Sequence, residues 1–136
     1  MTYRKGNELQ RKAAHVLEDE GYMVHVTVRT SYNRGGRWFS QSNDVFNAFD
    51  ILASKIGEPV RWIQVTTISN VSQRIKKVVA VPLDPEHNSV EVWGWKGGSP
   101  RKHKVTGEWL PRQYFQVYYA NKEWRPDPED RVFLKK

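Results

Sequence analysis

NDVFNAFDILASKIGEPVRWIQVTT, residues 43–67, holds two apolar stretches, FDILAS (49–54) and VRWIQVTT (60–67), joined by Gly57-Glu58-Pro59. Both stretches read as β-strands, and the Gly/Pro cluster between them reads as a tight turn. Asp50 stands near the start of the first strand, while Gln64 and Thr66 interrupt the second. Strand residues two apart point to one face, so Gln64 and Thr66 lie side by side and the neighbouring strand brings Asp50 close to them. An acid inside so apolar a strand is costly to bury without a cation or hydrogen-bond donors. Asp50 is therefore a candidate functional residue; the alternative is a strand aspartate satisfied by backbone N–H groups.

Working outward, residues 7–20 read as an amphipathic helix. Asn7 stands at the N-cap, Glu8 in the first turn, Leu9, Ala13, Val16 and Leu17 at helical spacing, and Gly21 at the stop. Residues 22–29 are rich in β-branched side chains and read as a strand. TSYNRGGRWFSQS (30–42) reads as a mobile loop. Residues 69–78 read as a short helix capped by Ser69 or Asn70, and Pro82 and Pro85 bound a turn. SVEVWGWK (89–96) is a strand with Val90, Val92 and Gly94 on one face and Glu91, Trp93 and Trp95 on the other. A basic loop (97–107) and a last strand (113–119) follow. The order of elements predicts an α/β fold, a mixed β-sheet flanked by helices. A small barrel with one helix is disfavoured by the strong patterning of the first helix. One domain is expected over residues 1–120, with a Pro- and charge-rich C-terminal tail over 121–136.

The composition bounds the class. A chain of 136 residues with 38% hydrophobic and 27% charged residues is that of a soluble globular protein. No apolar run approaches the roughly 20 residues that span a bilayer, and MTYRKGNELQ lacks the apolar core of a signal peptide. With no cysteine there are no disulfides and no thiolate metal sites; an intracellular, cytoplasmic location is the expectation. The 22 Lys plus Arg against 15 Asp plus Glu give a formal charge of +7, which suits a polyanionic partner. Six Trp and six Tyr add aromatic surface that either stacks on bases or fills a core. Three groups are candidate DNA contacts: Arg4, Lys5, Arg11 and Lys12; then Arg29, Arg34, Arg37 and Trp38; then Arg101, Lys102 and Lys104. Each alone is an ordinary surface charge, and the clustering carries the argument. Trp93 and Trp95 share a strand face and suit core or dimer packing better than base stacking. His15, His25, His87 and His103 show no metal-ligand spacing.

YRKGNELQRKAAHVLEDEGYMVHV (3–26) resembles the opening of the archaeal-type Holliday junction resolvases: a basic Lys-Gly segment, a helix, then a Gly-aromatic-x-Val strand. FDILA resembles their P-D-I/L-V/I-A strand and WIQVTT their I-E-V-K strand. The separation of Asp50 from Gln64, 64 − 50 = 14, suits the wider PD-(D/E)XK nuclease superfamily. The resemblance covers about the first 80 residues. It implies a restriction-endonuclease-like sheet, a Mg2+- or Mn2+-dependent endonuclease acting on branched DNA, and a homodimer that cuts two opposed strands. Position by position, the family's helix glutamate falls on Gln10, its strand aspartate on Asp50, its second strand carboxylate on Gln64 and its lysine on Thr66. Only Asp50 keeps the family's charge. By the same resemblance Asp50 and Gln64 are the metal-ligand candidates.

Mg2+ is a hard cation that takes oxygen ligands, usually from one or two carboxylates plus waters and phosphate. Asp50 supplies one carboxylate; the Gln64 amide oxygen is a neutral, weaker ligand. Thr66 carries no charge, and losing one electrostatic donor at such a site costs on the order of 10²–10³ in rate. Three compensations offer themselves: Lys76 or Lys77 reaching back from the next helix, Asp44 as a second carboxylate, and Glu8. Glu8 lies about 200° round the helix from Gln10 and is expected to face away. Gln10 shares the helix face of Ala14 and Leu17. Two functions are thus expected as rivals, a metal-dependent junction nuclease and a catalytically inactive DNA-binding module on the same fold.

Overall fold

The computed structural model describes residues 3–27, 30–41, 43–98, 101–102, 104–110 and 113–134. Helix α1 spans Tyr3–Asp19. It begins four residues before the expected cap, so Asn7 lies within the helix. Gly6 and Asn7 are weak helix formers, but extending a nucleated helix gains a hydrogen bond for each residue added. At its C-terminus Gly21 adopts φ +94°. Tyr22 N–H donates to Leu17 O at 3.0 Å and Gly21 N–H to Glu18 O at 3.0 Å, closing the helix in a Schellman arrangement.

The strands follow as β1 (Met23–Val26), β2 (Thr30–Arg34), β3 (Arg37–Gln41), β4 (Ile51–Ser54) and β5 (Val60–Thr67). A single 3-10 turn over Ile68–Asn70 then leads into α2 (Val71–Val78). Asn70 occupies the α2 N-cap without a side-chain cap; its amide donates to Thr67 Oγ1 at 3.1 Å instead. After α2 come β6 (Asn88–Lys96), β7 (Arg101–Lys102), β8 (Trp109–Leu110), β9 (Tyr114–Tyr119) and β10 (Arg131–Phe133). Six strands form one mixed sheet in the order β1-β4-β5-β6-β9-β10. Within it β5 and β6 are parallel, in register from Val60↔Asn88 to Thr67↔Trp95, and the remaining neighbours are antiparallel. The helix-flanked α/β architecture expected from the sequence is the one observed.

Two segments differ from expectation. Residues 30–41, expected as a loop, form the β2–β3 hairpin. Gly35 (φ +63°) and Gly36 (φ +83°) make the two-residue turn, the geometry that matches strand twist and that glycine adopts without steric cost. The segment from 121, expected to trail as a tail, supplies β10, which pairs with β9. Val132 and Leu134, two apart, pack on the core, and Lys122 Nζ lies 2.7 Å from Asp130 Oδ2. The prolines and charges of this segment hid that alternating apolar pair.

Alternation along the strands splits the core into two layers. Ile51, Ala53, Ile63, Val65, Trp93, Trp95 and Phe115 meet Leu9, Ala13 and Leu17 of α1. On the other face, Phe49 and Val92 pack with Val71 and Val78 of α2. Trp93 and Trp95 are thus core residues, in van der Waals reach of Phe115 at centroid distances of 5.5 and 4.9 Å. Gly94, between them on the α2 face, permits the close approach of that helix. A Cβ there would sit 2.6 Å from Val71 Cγ2 and 3.3 Å from Ile68 Cα. The Ile68 contact is backbone and cannot rotate aside, so Gly94→Ala is expected to destabilise by about 1–3 kcal/mol. Urea unfolding with a lowered midpoint and an unchanged m-value is the check.

A buried ion pair ties β5 to β6. Glu91 is 0% exposed and accepts four hydrogen bonds. The donors are Arg61 Nε (2.8 Å), Arg61 Nη2 (2.7 Å), Ser89 Oγ (2.7 Å) and Trp93 Nε1 (2.9 Å). The Arg61 guanidinium also lies 5.2 Å from the Tyr22 ring centroid and 5.6 Å from that of Trp93. Burial disfavours its charge, but hydrogen bonding to Glu91 and that residue's negative charge hold the Arg61 pKa above its usual value.

Candidate functional site

The residues singled out by the sequence meet where β4 leaves β5. Asp50, the residue before β4, donates its N–H to Ile63 O at 3.0 Å. Two residues on, the N–H of Val65 faces the same side, but the chain before Asp50 has turned away and offers it no carbonyl. The Asp50 carboxylate takes that place: Val65 N lies 3.0 Å from Oδ1 and 3.3 Å from Oδ2. Gln64 Nε2 donates to Oδ2 at 3.0 Å, and Gln10 Nε2, reaching from α1, donates to the same oxygen at 3.1 Å. Gln10, Asp50 and Gln64 are therefore in direct contact, and Thr66 is the next residue on the face of Gln64.

Three members of this cluster are buried, and Gln10 is half-buried. Asp50 is 2% exposed, Gln64 3% and Thr66 0%. Burial pushes the Asp50 carboxyl up to about 8; the negative charge of Asp44 adds to the rise, while the Val65 and Gln10 donors oppose it. Asp44 stands on the far side of Thr27, whose Oγ1 donates to Asp44 Oδ1 at 3.1 Å and lies 3.3 Å from Asp50 O. Two oxygens of the cluster, Gln64 Oε1 and Thr66 Oγ1, are buried without a hydrogen-bond partner among the described residues.

Lys77 lies in the last turn of α2, where a cation complements the helix dipole. The hydrogen bonds of Asp50 and the charges that shift it do not include Lys77 or Lys76. Glu8 is exposed, as its helical phase requires. Thr27 and the Val65 N–H were not singled out by sequence reasoning. The Val65 N–H follows from the gap in the ladder; Thr27 carried no signal. The turn between Asp44 and Phe49 also escaped notice. Phe46 (φ +53°) and Asn47 (φ +55°) are both left-handed there, and the Phe46 ring, 65% exposed, stacks on Trp62 at 5.9 Å.

Of the candidate DNA contacts, Arg11, Arg34, Arg37, Lys102 and Lys104 are exposed, and Trp38 is 74% exposed. Arg34 and Arg37 face each other across the tip of the β2–β3 hairpin. Lys12 is half-buried, with Nζ 4.7 Å from the Trp95 ring centroid. Arg4, Lys5 and Arg101 are described by their backbone alone; Arg29 and His103 lie outside the described residues. The remaining histidines are exposed. His87 forms an exposed group with Asp84 and Glu86, whose ligand atoms lie within 4.8 Å of one another. A tight turn explains it, with Glu86 N–H donating to Asp84 Oδ1 at 3.0 Å. A cleft of about 560 Å3 opens elsewhere, lined by Arg61, Val81, Leu83, Val90 and Trp124 among others, and no motif residue faces it. No described helix is long and apolar enough to cross a membrane.

The donor set does not fit Mg2+. Among the described residues a single carboxylate is in direct contact with the cluster, both of its oxygens already accept N–H groups, and it is 2% exposed, whereas the ion keeps several waters and takes phosphate. Comparison with protein-family models, with curated proteins and with solved structures finds no match.

Proposed function

We propose that the protein is a DNA-binding module on a nuclease-type α/β sheet, whose motif site is a hydrogen-bonded structural cluster with no hydrolytic role. The observation that carries this reading is the occupancy of Asp50. Two glutamine amides and one backbone N–H surround the carboxylate at the point where a nuclease would need a cation and a lysine. Neutral amides satisfy the acid without supplying the charge that phosphodiester cleavage requires. DNA as the partner is supported by the net charge of +7 and by the exposed Arg11, Arg34, Arg37 and Lys102. Arginine and lysine contacts to phosphate give affinity without sequence information.

A second reading is the Mg2+- or Mn2+-dependent junction nuclease, acting as a homodimer on branched DNA. What favours it is the pair of unpartnered buried oxygens, Gln64 Oε1 and Thr66 Oγ1, beside Asp50. One experiment separates the two. Wild type and Asp50→Asn are incubated with a labelled four-way junction, with and without Mg2+ or Mn2+, and binding is followed by anisotropy at 50 and 200 mM salt. With about four phosphate contacts, affinity is expected to drop roughly 100-fold over that range, with no strand cleavage under either metal. Cleavage by wild type that Asp50→Asn abolishes would establish the nuclease; binding indifferent to salt would remove both readings.

A further inference from the structure

We infer that the β2–β3 hairpin is a stacking ribbon for single-stranded DNA, with unpaired bases laid on its aromatic side chains and phosphates held by the arginines at its tip. The inference rests on the DNA-binding reading above and names the form of DNA. Directly opposed residues of an antiparallel pair share a face. Tyr32 opposes Phe39, and the next pair on that face is Arg34 with Arg37. The Tyr32 and Phe39 rings are stacked, 5.5 Å between centroids and 20° between planes, and remain 45% and 42% exposed. Trp38, on the opposite face beside Asn33, is 74% exposed.

Among the described residues, no hydrogen bond or ion pair of these aromatic and arginine side chains to the rest of the fold accounts for this composition. The hairpin forms its own two-stranded sheet, apart from the six-stranded one, and an isolated hairpin is marginal in water. Three exposed rings gain little from burial there. Two like charges directly opposed weaken the pairing, and neither arginine has an ion-pair partner among the described residues. Both features turn favourable against a flexible polyanion with flat apolar faces. Base–aromatic stacking is worth about 1–3 kcal/mol per base and is indifferent to sequence. A duplex keeps its bases stacked on one another and offers none to the rings. A second copy of this chain fits worse, since it would set four arginines against each other in a molecule already at +7.

The test measures anisotropy of a labelled oligothymidine of about 20 nucleotides against a blunt duplex of equal length. Wild type is compared with Tyr32→Thr/Phe39→Thr, Trp38→Thr and Arg34→Gln/Arg37→Gln; threonine keeps the strand preference while removing each ring. Wild type is expected to bind the single strand at least about tenfold tighter than the duplex. Removing rings should weaken single-strand binding about 10- to 100-fold and duplex binding little. Removing both arginines should lower the single-strand salt slope by about 1.4. Thermal melting monitors the six-stranded sheet, which the hairpin does not join, and Trp38→Thr supplies the answer if the double ring variant melts early. Equal affinity for both DNAs overturns the inference, as does a ring-free variant that binds like wild type. A dimer in sedimentation that dissolves when the rings are removed also overturns it, in favour of an interface between copies. Loss of binding to every DNA by the wild type instead removes the DNA-binding reading itself.

Discussion

Asp50→Asn is expected to make the protein more stable than wild type at pH 9 and to bring no such gain at pH 5. The carboxyl is pushed up from 3.8 to about 8, first by burial and then by the charge of Asp44. Unfolded, the group releases its proton near pH 4; folded, it holds it to about pH 8. Between those values the native state binds more protons than the unfolded state, so stability declines as pH rises through that window. The contribution is fully present below about pH 4 and gone above about pH 8. Its size is bounded on the order of 5 kcal/mol, four pH units at about 1.4 kcal/mol each. Asparagine keeps the shape and removes the charge. Its oxygen still accepts from the Val65 N–H, while its NH2 group, at the Oδ2 position, finds acceptors only when the Gln64 and Gln10 amides both turn over, Gln64 then giving up its donation to Val65 O, a cost that offsets part of the gain. Chemical denaturation of both proteins at pH 5, 7 and 9 should give a difference that widens with pH; parallel curves would refute the desolvated carboxyl.

Glu91→Leu is expected to cost about 3–5 kcal/mol, the penalty for breaking a buried pair by removing one partner. It leaves the Arg61 guanidinium, whose side chain is 13% exposed, with the more exposed Glu20 carboxylate at 3.8 Å in place of the buried one, and takes the acceptor from Ser89 Oγ and Trp93 Nε1. In a chain of this length that corresponds to a fall in Tm of about 10–20 °C. Arg61→Met combined with Glu91→Leu should recover part of the loss, since no buried charge is then left while Ser89 Oγ and Trp93 Nε1 still lack their acceptor. A double-mutant cycle with no coupling would mean that the pair is a bystander to the packing around it.

Much of the fold could be read from the chain because local and global signals agreed. Val60–Thr67 and the 88–96 stretch are rich in β-branched and aromatic residues, which gives their strand character, and the two-residue period puts Trp93 and Trp95 on one face; that this face is core and not a dimer surface does not follow from the period. The hairpin was legible in principle, since Gly35-Gly36 between Tyr32-Asn33 and Trp38-Phe39 is a two-residue turn between strand-forming residues, but the arginines and serines around it read as solvent loop. At the candidate site, side-chain alternation put Gln64 and Thr66 together and the helical phase aimed Gln10 at the sheet. That Asp50 accepts from backbone N–H was one of the two readings of its position; that the donor is Val65 N–H, joined by two glutamine amides, was not legible. It depends on where β4 stops pairing with β5, and that is set by the Asp44–Phe49 turn and its two left-handed residues, a tertiary outcome that no local pattern encodes. That the hydrogen-bond and charge partners of Asp50 do not include Lys77 likewise depends on how α2 docks over Gly94.

The six-stranded sheet narrows toward both sides: nine residues in β6 and eight in β5 at its middle, four in β1 at one border and three in β10 at the other. A border strand that short presents few free N–H and C=O groups, too few to template the pairing of another chain. Such a taper limits edge-to-edge pairing in a sheet rich in aromatic residues, and at the β1 border it acts together with α1, against whose core face Val24 and Val26 pack.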